Sequence, residues 1–90
     1  MQDKEKISYF KAKFGELLRK VRKSKKCYSL NKLANEYDFN KSNLSKTERG
    51  IYSVQYITAW KISEALGIKL SDFTKMLEDE LGQDFKLMDE

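Results

Sequence analysis

Ser29-Leu30-Asn31-Lys32-Leu33-Ala34-Asn35-Glu36-Tyr37-Asp38-Phe39-Asn40-Lys41-Ser42-Asn43-Leu44-Ser45-Lys46-Thr47-Glu48-Arg49-Gly50 holds two short helical patterns separated by three turn-forming residues. Ser29 is a suitable N-cap for the first, and Leu30, Leu33, Ala34 and Tyr37 give it an apolar stripe. Asp38-Phe39-Asn40 reads as a tight turn, because Asp and Asn tolerate a left-handed backbone better than most residues. Asn40 or Ser42 caps the second, over about Lys41 to Arg49. Gly50 supplies the left-handed position just past its end. Two short helices joined this way form a helix-turn-helix, whose second helix can enter a DNA major groove. Leu44 must face the core, with Thr47 and Glu48 one turn further on that side. Lys41, Ser42, Ser45 and Lys46 then point outward, with Asn43 at the flank. Lysine can donate to guanine O6 and N7, asparagine can pair with adenine, and serine serves several bases.

Outside this stretch the apolar spacing is helical throughout. Ile7, Phe10, Phe14, Leu17, Leu18 and Val21 recur at steps of three and four, and Lys11, Lys13, Arg19, Lys20, Arg22 and Lys23 cover the other side. Ser24 to Tyr28 reads as a loop, with Cys27 a loop or partly buried thiol. Tyr56, Ala59, Trp60, Ile62, Ser63 and Leu66 form a broad band on a helix from about Gln55 to Leu66, stopped by Gly67. Leu70, Phe73, Met76, Leu77 and Leu81 mark another, stopped by Gly82. Helical spacing assigns Trp60, Phe10, Phe14 and Phe73 to the core. The expectation is an all-α domain over residues 1–82 and an acidic tail over 83–90.

Ninety residues without proline and with four glycines suit one small helical domain. One cysteine and no histidine exclude an internal disulfide, a Cys/His zinc finger and a histidine acid–base catalyst. No glycine-rich phosphate loop or metal-ligand cluster is present, so neither an enzyme nor a cofactor is expected. No apolar run approaches the ~18 residues of a membrane span, and no signal segment follows the charged start; a reducing, cytoplasmic setting is expected. The net charge of +4 is unevenly spread. Residues 1–50 hold 14 Lys/Arg and 6 Asp/Glu, a balance of +8; residues 51–90 hold 4 Lys and 8 Asp/Glu, a balance of −4. That sorting suits a basic face for a polyanion, and equally a solvated basic helix beside an acidic tail.

Leu33-Ala34, Leu44-Ser45-Lys46 and Glu48-Arg49-Gly50, followed by Ala65-Leu66-Gly67-Ile68 and preceded by Gly15 to Arg22, together resemble the Cro and lambda-repressor family of helix-turn-helix (XRE-type) domains. The resemblance covers about Phe14 to Leu77 and implies a compact five-helix, lambda-repressor-like fold with the motif in helices 2 and 3. It implies base reading by Lys41, Ser42 and Lys46, with Asn43 and Ser45 beside them. Phosphate contacts are expected from Ser29, Asn40, Arg49, Tyr52, Ser53 and Gln55. Arg49 has the alternative of complementing the helix dipole, and Tyr52 that of simple exposure. The resemblance also implies a structural ion pair between Arg22 and Glu48, with Lys23 as the competing partner because the loop after Arg22 is one residue longer than usual.

The chain departs from the family pattern at several positions. Asp38 stands where glycine is preferred, Thr47 where a larger apolar residue is usual, Leu30 in place of a phosphate-touching glutamine, and Val54 in place of a proline. The expected function is sequence-specific binding of double-stranded operator DNA by a transcriptional regulator of repressor type, acting as a homodimer. Leu70 to Met88 is the expected dimer segment, since Phe85, Leu87 and Met88 have no evident core role. Two alternatives stand beside it: an antitoxin gripping a protein partner through its acidic tail, and a protein-interaction module without DNA binding.

Overall fold

A computed structural model of the protein describes residues 3–25 and 29–88, the side chain of Asp3 excepted. The expectation for Cys27 lies outside the described residues. The elements are α1 (Asp3–Ser24), α2 (Leu30–Glu36), α3 (Lys41–Glu48), α4 (Tyr56–Ala65) and α5 (Leu70–Leu81), with no strand among the described residues. α1 packs on α3 and α5, α2 on α3, and α4 on α5. Leu17 and Leu18 of α1, Leu33 and Ala34 of α2, Leu44 of α3, Ile62 of α4, and Phe73 and Leu77 of α5 meet in one core, joined by Leu66. Phe10, Phe14 and Met76 pack around its edge.

The helix ends follow their chemistry. The Ser29 hydroxyl accepts from the Lys32 amide at 3.0 Å, capping α2. Asn40, rather than Ser42, caps α3: its Oδ1 accepts from the Asn43 amide at 2.9 Å. Asp38 sits at φ 57°, where glycine was the family preference. The left-handed turn lets the Phe39 amide donate back to the Ala34 carbonyl at 2.9 Å, closing α2 before α3 begins.

Three aromatic placements differ from the sequence expectation. Trp60 is 51% exposed and Tyr56 73% exposed, so neither belongs to the core. Tyr56, Trp60 and Glu64 lie four residues apart along one ridge of α4, while Ile62, Ser63 and Leu66 are buried. A band that wide cannot all be buried by a ten-residue helix with neighbours on one side. Tyr37 is also exposed, as the residue that ends α2.

Phe85 does have a packing role. After Gly82 (φ 93°) ends α5, the chain doubles back and the Phe85 ring lies 5.8 Å from Tyr9 and 6.4 Å from Phe10. Such rings favour offset and tilted contacts at these separations. Leu87 and Met88 remain exposed, as does Ile7 of α1.

Candidate nucleic-acid interface

α3 has eight residues and two faces. Leu44 and Thr47 point inward and are buried, with Thr47 at 1% exposure. A buried hydroxyl needs a partner, and Thr47 Oγ1 donates to the Asn43 carbonyl at 2.7 Å one turn back. This bond lets threonine stand where a larger apolar residue is usual. Lys41, Ser42 and Lys46 are exposed on the other face, and Asn43 and Ser45 are half-buried at its margins. All five expected base-reading residues therefore lie on or beside one outward surface.

The inner face is held by α1. Gly15 is buried against the end of α3, where a Cβ would stand 2.5 Å from the Glu48 carbonyl oxygen and closer still to that of Thr47. Only glycine permits this approach of two helix backbones. Two turns along α1, Arg22 grips Glu48 with both arms of its guanidinium. Nε donates to Oε2 at 2.6 Å and Nη2 to Oε1 at 2.9 Å. Both side chains are nearly covered. The hydrogen bonds to Glu48 and its charge hold the Arg22 guanidinium in its protonated form, raising its pKa above the ordinary value against the cost of burial. The competing residue, Lys23, is exposed. A paired fork of this kind fixes orientation as well as distance.

The expected phosphate contacts spread around α3. Ser29, Asn40, Arg49, Tyr52, Ser53 and Gln55 are all exposed. The oxygens of Ser29 and Asn40 already serve as caps, which leaves the Asn40 amide NH2 as a donor to the outside. Arg49 Nε lies 3.4 Å from the Ser45 carbonyl, a long bond that complements the end of α3 and leaves the rest of the guanidinium facing outward. Gly50, at φ 77°, turns the chain after α3, and the Ile51 amide donates to the Lys46 carbonyl at 2.9 Å. Gln55 begins α4 without a side-chain capping bond, so its amide is not used to finish the helix.

Two neighbours of this surface are not singled out by helical spacing. A cavity of about 330 Å³ opens between the Asp38–Asn40 turn and α4, lined in part by Asn43, Tyr52, Thr58 and Lys61. Lys61 thus stands across from the start of α3. Lys11 of α1 shares a small crevice with Tyr52, Ser53 and Val54.

A helix-turn-helix family model matches residues 18–73. The control protein C.BamHI of Bacillus amyloliquefaciens is 42% identical over 64 residues, 68% of this chain and 79% of that protein. The control protein C.MunI of a Mycoplasma species is 36% identical over 70 residues, 78% of this chain and 95% of that protein.

Proposed function

The chain belongs to the helix-turn-helix family of DNA-binding transcription regulators, and on that premise we propose that it reads an operator with Lys41, Ser42, Asn43, Ser45 and Lys46. The observation that carries this is the division of α3. One face is immobilised by Gly15 and the Arg22–Glu48 pair, while the opposite face presents only cationic, amide and hydroxyl side chains. A reading helix needs both: a rigid seat and groups that match base edges. Ser29, Asn40, Arg49, Tyr52, Ser53 and Gln55 hold the flanking phosphates and set the register without reading sequence. The working setting is cytoplasmic. No described helix is long and apolar enough to cross a membrane.

One such helix spans only a few base pairs, so the working form is a homodimer on two half-sites about 34–36 Å apart. Its interface centres on the outer face of α4 and the groove it shares with α5, rather than on the tail. Tyr56, Ile57 and Trp60 are the large exposed apolar side chains there, beside a groove between α4 and α5 lined by Ile68, Lys69, Leu70 and Glu78. Aromatic anchors beside residues of both charge signs suit a self-complementary, two-fold contact. The tail that an antitoxin would use has Phe85 engaged on α1. By analogy with the two relatives named control proteins, the chain acts as a repressor-type regulator of transcription.

Selection from random duplex DNA tests this reading. The expected result is a short palindromic motif whose binding weakens steeply as salt rises. No enrichment, with only weak binding to any duplex, overturns it in favour of a protein-interaction module.

A further inference from the structure

The family match begins at residue 18, yet α1 begins at Asp3. At about 1.5 Å per residue, some 22 Å of helix precedes the matched motif. Two contacts fix where that stretch runs. Gly15 is pressed against the last carbonyls of α3, and one turn earlier Ala12 lies under Gly50, where a Cβ on Gly50 would meet the Ala12 Cα at 2.9 Å. The α1 face at these positions is therefore turned to the end of α3 and the loop that follows it. Lys11 lies on this face, four residues before Gly15. It is half-buried in the crevice with Phe10, Phe14, Tyr52, Ser53 and Val54. Ser8 and Lys4 continue the same ridge at three and seven residues back, and both are exposed.

We propose that Lys11 is a DNA-backbone contact supplied by the N-terminal half of α1, gripping a phosphate beside the one held by Tyr52 and Ser53. This rests on the reading of α3 and its loop as the DNA-facing surface. Three features favour a contact over a merely solvated lysine. The loop it flanks is the segment assigned to phosphates. Its stem is confined between aromatic and apolar side chains, so ordering it on binding costs less than for a free surface lysine. A point charge on a fixed stem is the chemistry that serves a phosphate without selecting a base. This half of α1 thereby adds affinity and register, not sequence preference.

The test is a salt titration of the full chain on its selected duplex and on an unrelated duplex, with Lys11→Gln, Lys11→Arg and Lys20→Gln. Lys20 is a fit control because it lies on α1 but bonds Glu80 of α5 at 2.8 Å. The proposal expects Lys11→Gln to reduce the slope of log affinity against log salt by about 0.9, weakening both duplexes about fivefold at 0.15 M salt. Lys11→Arg should restore the slope, and Lys20→Gln should leave it unchanged. A thermal melt matching the parent shows that Lys11→Gln is folded. An unchanged slope in Lys11→Gln, against a steep slope in the parent, overturns the role of Lys11 and leaves the α3 reading standing. Loss confined to the selected duplex also overturns it, since that marks a base contact. A parent with no salt-dependent duplex binding removes both readings together.

Discussion

The rear of α3 and the outer face of α4 lie in the same small protein and are finished in opposite ways. Behind α3, two helix backbones touch at Gly15, a buried threonine hydroxyl bonds its own helix, and an arginine fork closes on a glutamate. Among the described residues no buried side-chain nitrogen or oxygen lacks a partner. On α4, Tyr56 and Trp60 meet edge to face at 6.3 Å, and the Trp60 indole donates to Glu64 on its own helix at 3.1 Å. Ile57 beside them is 67% exposed. The first region is complete within one chain. The second leaves large apolar surface in water, which a folded monomer tolerates in single residues but seldom as a group. The difference separates what the protein needs to fold from what it needs to work.

Substitutions behind α3 should show the largest effects on stability. Glu48→Ala leaves the Arg22 guanidinium covered and without its carboxylate, and should cost about 3–5 kcal/mol in a denaturant melt. A loss below about 1 kcal/mol would place the pair with ordinary surface bridges and break the contrast. Gly15→Ala forces a methyl into the Thr47 and Glu48 carbonyls, which belong to backbone and yield little. It should cost about 3 kcal/mol, with the helix-forming advantage of alanine lost in the clash.

Trp60→Ala sharpens the other side. Monomer stability at low concentration should move by no more than about 0.5 kcal/mol, while dimer association measured by sedimentation weakens by about 2 kcal/mol, some thirtyfold in Kd. A clear loss of monomer stability with unchanged association would return Trp60 to a folding role. Asp38→Gly should be neutral or stabilising by up to about 1 kcal/mol, because it relieves a left-handed backbone at a residue whose side chain is exposed. Destabilisation in a melt would mean that the carboxylate makes a needed local bond.

The smallest expected effect is electrostatic. A hydrogen bond from Lys20, and then its charge, hold the Glu80 carboxyl below its ordinary pKa. A group depressed in the folded state contributes stability above the ordinary carboxylate range and loses it as pH falls through the folded value. Glu80→Gln should remove that small acid-side dependence and leave neutral-pH stability nearly unchanged, since both groups are exposed. A steeper acid loss in the variant would contradict the sign.

The two regions were also unequally legible in the sequence. Caps, turn and outward residues of the motif follow from local rules: three- and four-residue spacing, Ser29 and either Asn40 or Ser42 as caps, an Asp tolerant of positive φ. Trp60 and Tyr56 were misplaced because periodicity marks an apolar band but not how much of it neighbouring helices can cover. The Gly15 approach and the Phe85 contact depend on elements more than 30 residues away, and neither leaves a periodic trace. Lys11 was visible only as one of many lysines until the crevice with Tyr52 and Ser53 singled it out.

Equilibrium titration of Lys41→Ala and Lys46→Ala against the selected duplex, and against copies changed one base pair at a time, tests most directly whether the outer face of α3 reads sequence. The account predicts that each variant loses discrimination, by about 1–3 kcal/mol, at particular base pairs and keeps it elsewhere. Uniform weakening of both variants on every duplex, with discrimination intact, would make these lysines backbone contacts and contradict the assignment.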